Sequence, residues 1–232
     1  MEVIKKTAGF TLIELLVAMA ITSMLIAVVA LAYTTQSRSY NSLQDVNSLQ
    51  QEMRSALDLV AKDIRMAGYN PTGNANGATI VKATSSEFQF TQDITNNAGT
   101  GLSDGDIDDP NEDIRFAINT NGSFGRETDD ISGLQPIAEN IDRLEFDYLL
   151  DTGKWTQTPD PANLKKIYAV KVILLGHSAH ESGSVDTSTF NASFGSPRED
   201  IVTNDWTPAS PGKHHWRLVS TVVQCRNMQI KN

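Results

Sequence analysis

Several sets of side chains in this sequence have the types and spacing to do chemistry. Glu14 is the only charge within a 21-residue apolar run, residues 12–32. A carboxylate inside an apolar helix costs on the order of 2.5–3.5 kcal/mol at a bilayer centre, so it needs a partner or a route to the interface. Residues 103–113 (SDGDIDDPNED) carry six carboxylates and no base. Asp104, Asp106 and Asp108 alternate along that stretch, which can turn oxygens toward one hard cation such as calcium. The fit to an EF-hand loop is poor, because Asp109 stands where the sharp-turn glycine belongs and Arg115 where the bidentate glutamate belongs. A solvated acidic turn, helped by Gly105 and Pro110, accounts for the same residues.

His177 and His180 form a His-x-x-His pair, and His214 and His215 add two more imidazoles. Zinc sites use histidine, but no third ligand follows at a characteristic spacing. Ser178 lacks the Gly-x-Ser-x-Gly elbow of a hydrolase, so no catalytic residue is assigned and an enzyme is not expected. Cys225 is the only cysteine, which excludes an intramolecular disulfide framework and a Cys-rich zinc module. A buried free thiol at a strand end is the expectation for it. Trp155, Trp206 and Trp216 read as core or loop anchors.

The elements that must carry these groups follow from patterning. The chain has 232 residues, a net charge of −9 and 40% hydrophobic residues, a globular balance. The acidic surplus argues against a nucleic-acid partner, since neutralising phosphates needs Lys and Arg. The apolar run at 12–32 would span roughly 30 Å as a helix, the thickness of a bilayer core. Lys5 and Lys6 precede it, so the positive-inside rule keeps the start of the chain cytoplasmic and sends the rest outward. An ordinary secretory signal is the rival; the long run and the helical pattern after Ala32 favour a single-pass anchor. Beyond it Tyr40, Leu43, Val46, Met53, Leu57, Val60, Ile64 and Ala67 recur mostly at spacings of three and four, one helical stripe. Gly68 and Pro71 then stop the helix.

Residues 68–232 alternate in a β manner. Phe88 and Phe90 share a face over 87–92. Leu144, Phe146, Tyr148 and Leu150 do so across 144–150, with Glu145 and Asp147 opposite. Residues 167–175 are apolar enough for an inner strand, and 217–224 closes the chain. The fold expected is α+β, with one antiparallel sheet or two small ones packed on the second half of the long helix.

The hexapeptide Gly9-Phe10-Thr11-Leu12-Ile13-Glu14, between a short basic leader and about twenty apolar residues, resembles the class III signal of type IV pilins and type II secretion pseudopilins. That resemblance implies cleavage by a prepilin peptidase after Gly9 and N-methylation of the new terminus, Phe10. It also implies that Glu14 offsets the amino-terminal charge of a neighbouring subunit. The physics agrees, because a lone carboxylate or ammonium in an apolar filament core is expensive. The stretch Arg65-Met66-Ala67-Gly68-Tyr69 resembles PilW-type minor pilins and, more distantly, the J-type minor pseudopilin. Ordinary major pilins tend to be shorter and to carry a disulfide loop that one cysteine cannot make.

The organisation expected from these readings is a prepilin leader at 1–9, a transmembrane or filament-core helix at 10–32, its amphipathic continuation at 33–67, and a β-rich head at 68–232. The implied function is that of a minor pilin that primes or caps a type IV pilus. Its partners would be the prepilin peptidase, other minor and major pilins, and the inner membrane, and no nucleic acid. The head would lie in the periplasm and later at the cell surface. A minor pseudopilin of type II secretion and a membrane-tethered binding protein are the alternatives. No cofactor is implied, apart from calcium at Asp104, Asp106 and Asp108.

Overall fold

A computed structural model describes residues 9–73, 77–96, 103–129, 133–181, 190–191, 205–206 and 213–229. The first element is one helix, α1, Leu12–Met66, of 55 residues without a glycine or proline. An uninterrupted ladder is what such a sequence permits, since Gly and Pro are the residues that break helices. Two compact units divide the chain, residues 1–44 and 45–232, so α1 contributes to both.

In the first unit every apolar side chain of α1 from Leu12 to Leu43 is exposed, including Tyr40 and Leu43 at the start of the expected stripe. Burial begins only at Leu49 and continues through Met53, Ala56, Leu57, Val60, Ala61 and Ile64. Tyr40 and Leu43 are on the helical period but exposed, because periodicity marks a face and does not by itself bury it.

The second unit covers that later face with two antiparallel sheets. A five-stranded meander runs in chain order: β1 (Ile80–Ala83), β2 (Glu87–Thr91), β3 (Asp113–Ile118), β4 (Phe124–Thr128) and β5 (Gln135–Ala138). The second sheet contains β6 (Ile141–Leu150), β7 (Trp155–Thr156), β8 (Ile167–His177) and β11 (Trp216–Gln224), ordered β11-β8-β6-β7. A two-residue ladder joins β9 (Phe190–Asn191) to β10 (Asp205–Trp206). Pro136 sits in β5, an edge strand of the first sheet, where a missing N–H is tolerated.

One core joins α1 to both sheets. Phe88, Phe90, Ile114, Phe116 and Phe124 enter it from the first sheet, and Leu144, Phe146, Tyr148, Val170, Val172 and Leu174 from the second. Phe88 is the hinge of the aromatic set, with ring centroids 5.9 Å from Phe146 and 5.7 Å from Tyr148. The Tyr148 hydroxyl donates to the Thr84 carbonyl at 2.7 Å, so its polar end is satisfied inside the core. The alternate residues of β8, Ile173 and Leu175, form a smaller cluster with Trp216 on the other face. Burial on both faces explains the near-continuous apolar run of β8. It also buries Asp147, which the pattern put on the face opposite the aromatics. Asp147 stands in register with the equally buried Lys171, a cross-strand pair of opposite charges.

Gly68 ends α1 in a left-handed conformation, φ +74°, which glycine adopts without strain. Its N–H donates to the Thr91 carbonyl at 3.0 Å, locking the helix end onto β2. A Cβ at this position would also run into the Met228 sulfur. Gly68→Ala should therefore lower stability by roughly 2 kcal/mol from the backbone strain and the displaced methionine together. In detergent-solubilised full-length protein that is a fall in Tm of roughly 4–8 °C. Adding Met228→Ala should relieve only the steric part; an unchanged Tm in the single variant would contradict the account.

Candidate functional site

The residues expected at the amino terminus lie around the first turn of α1. Thr11 caps the helix, and Glu14 reaches back to it. The Thr11 N–H donates to Glu14 Oε2 at 2.8 Å, the Thr11 hydroxyl donates to the same oxygen at 2.9 Å, and the Glu14 N–H donates to Thr11 Oγ1 at 3.3 Å. This is a capping box, in which Thr-x-x-Glu satisfies helix-end donors reciprocally. The Thr-x-x-Glu signature of this box stands in the sequence at 11–14. Within one chain, the carboxylate already has donors.

Gly9 and Phe10 precede the helix. A Cβ on Gly9 would meet nothing within 4 Å, and Phe10 is 91% exposed, so the peptide bond between them lies in open, non-helical backbone. After Glu14 the helix is long and apolar enough to cross a membrane, with none of its most apolar stretch buried. Its hydroxyls turn inward on their own backbone: Thr22 donates to the Ala18 carbonyl at 2.7 Å and Ser23 to that of Ala20 at 2.8 Å. That arrangement suits a medium without water.

In the acidic stretch the structure groups Asp104 and Asp106 with Asp109 rather than with Asp108. One carboxylate oxygen from each of the three lies within 4.8 Å of the others. Alternation assumed an extended backbone, whereas this segment turns. The Asp106 N–H donates back to Asp104 Oδ1 at 3.4 Å and the Asp108 N–H to Asp106 Oδ1 at 3.5 Å, so the next carboxylate to face the group is that of Asp109. Burial, followed by the charges of Asp104, Asp106, Glu112 and Asp108, raises the Asp109 carboxyl above its ordinary pKa. Asp129 holds the base of the loop by accepting from the N–H groups of Asn111, Glu112 and Asp113.

The histidines pack rather than converge. The His177 ring lies 4.8 Å from that of His214 and 5.0 Å from that of Trp216, and Nδ1 of both histidines contacts the Ser178 carbonyl. The buried Ser178 hydroxyl donates to the His180 carbonyl at 2.9 Å and accepts from the His215 N–H at 3.0 Å, a role in holding two chain segments together. His180 meets Asp45 of α1 at 3.2 Å. Among the described residues, the only group of three or more carboxylate, imidazole or thiol ligands close enough to share one ion is the aspartate set.

Comparison with known proteins bears on the amino terminus and on the fold. Residues 4–30 match the prokaryotic N-terminal methylation motif. The pilin-like protein PilA3 of Thermus thermophilus is 29% identical over 184 residues, covering 73% of this chain and 79% of the relative. A solved type IV-like pilin from Thermus thermophilus superposes with a TM-score of 0.53 at 14% identity, covering 78% of this chain and 98% of that one. The chain is thus similar to type IV pilin-like proteins in its amino-terminal motif and in its fold. Its long helix packed on antiparallel sheets is the fold which that likeness predicts. The finer resemblance to PilW-type subunits, read from residues 65–69, is not decided by these relatives.

Cys225 is fully buried just after the end of β11, as its sequence position suggests. Burial pushes its thiol up to about 12 from the ordinary 9.0. A thiol-disulfide reagent at pH 8 should therefore leave the native protein unlabelled and take up one equivalent once guanidinium unfolds it. The same shift should lower stability as pH rises from about 9 towards about 12, because the unfolded chain ionises its thiol first. Prompt labelling of the native protein would contradict this burial.

Proposed function

We propose that this chain is a minor pilin. A prepilin peptidase cuts between Gly9 and Phe10, and Phe10 becomes N-methylated. The processed subunit spans the inner membrane once with its head in the periplasm, then enters a type IV pilus at the cell surface, where it primes or caps assembly with other minor and major pilins. The observation that carries this reading is the pairing of an uncovered apolar helix with a single acidic residue, Glu14, at its entrance. The methylation motif over residues 4–30 and the open Gly9–Phe10 bond support the processing step.

Glu14 then has two successive roles. Before assembly its carboxylate is satisfied by Thr11; in the filament it offsets the methylated amine of a neighbouring Phe10. A buried charge that loses its partner costs about 3–5 kcal/mol, so removing Glu14 strands that amine.

The two roles separate by mutation. Glu14→Ala should leave the protein inserted and cleaved, since losing a charge eases insertion, but should cut its amount in sheared filaments at least tenfold. Thr11→Val keeps the carboxylate and removes the hydroxyl of the cap, and incorporation should stay within about twofold of the parent. Immunoblots of membrane and filament fractions make the comparison. Normal incorporation of Glu14→Ala would remove the intersubunit role, leaving Glu14 as a helix cap alone.

A further inference from the structure

The acidic loop carries an arrangement that filament assembly does not use. Its three converging oxygens span up to 4.8 Å. Calcium–oxygen distances of about 2.3–2.6 Å put ligands on opposite sides of one ion roughly 4.6–5.2 Å apart, so a single calcium ion reaches all three. A second observation is independent of the spacing. Asp109 is only 4% exposed, and among the described residues its Oδ2 has no hydrogen-bond partner. A buried carboxylate oxygen without a donor is costly unless something positive meets it.

Glu112 repeats the pattern close by. Its Oε1 accepts from the N–H groups of Ile94 and Thr95 at 2.7 and 3.0 Å, while its buried Oε2 accepts from none of the described residues. The cation nearest in sequence, Arg115, is engaged elsewhere, with Glu87 and Glu127 at 2.5 Å each. We propose that Asp104, Asp106 and Asp109 bind one calcium ion, which holds together the turn ahead of β3. All three donors are hard oxygens, so the site suits calcium or magnesium rather than zinc or copper. Magnesium demands a tighter octahedron at about 2.0–2.1 Å and gives up its water reluctantly, so calcium fits the wider set better.

The test uses full-length protein in detergent, freed of metal with chelator and held at constant ionic strength. Calorimetric titration with calcium chloride should give one site per chain, with a Kd on the order of 10⁻⁴ M. At a hundredfold excess over Kd, Tm should rise by roughly 5 °C or more, and chelator should reverse it. Magnesium at the same concentration should give less than a third of that rise. Asp109→Asn should abolish the response, while Asp108→Asn should leave the affinity within about twofold. Because Asp109 is buried and its variant could misfold, Asp104→Asn combined with Asp106→Asn, both exposed, should abolish the response on its own. A melt insensitive to calcium would overturn the site. So would equal effects of calcium and magnesium that survive the exposed double substitution, since that is charge screening.

Discussion

The structure depends on a single constraint: α1 begins with its apolar side chains exposed and ends inside a fully packed core. Each large apolar side chain left in water forgoes roughly 1.5–3 kcal/mol of burial. From Leu12 to Leu31 more than a dozen are exposed. Such a stretch is tenable only in a bilayer or against other helices. The features at its start answer to that medium. Glu14 is held by Thr11, the hydroxyls of Thr22 and Ser23 bond to their own helix, and no other charge intervenes before Arg38.

The later part of the helix answers to a different solvent, the side chains of two sheets. From Leu49 to Ile64 its inner face meets phenylalanines of the first sheet and the alternating strand residues of the second. Where the helix must stop, Gly68 supplies the left-handed turn and hands its N–H to β2. A chain built this way can leave one end of the helix uncovered because the other end is anchored by a core of its own.

Much of this was legible from residue types. Apolar length and period reveal the helix and its stop, since both are local properties. The alternation at 87–92 and 144–150 reveals β2 and β6, and the near-continuous apolar run at 167–175 reveals β8. What escaped depends on three-dimensional neighbours. Residues 113–118 form β3, whose Ile114 and Phe116 alternate as clearly as Phe88 and Phe90, although no strand is expected there from the sequence. Asp147 is buried because Lys171 faces it from β8, a register no single strand displays. Asp109 replaces Asp108 in the carboxylate group because side-chain-to-backbone bonds bend the segment. The capping box at Thr11 and Glu14 is legible in the sequence as Thr-x-x-Glu, although an isolated charge suggests a distant partner more readily than a hydroxyl three residues away.

The proposed assembly requires that α1, once freed of residues 1–9, enters a filament. Mass spectrometry of the protein recovered from sheared filaments is the decisive measurement. The expected amino terminus is Phe10 with one methyl group on its nitrogen, with no peptide from residues 1–9. Filament-associated protein that retains an intact Met1 terminus would contradict it.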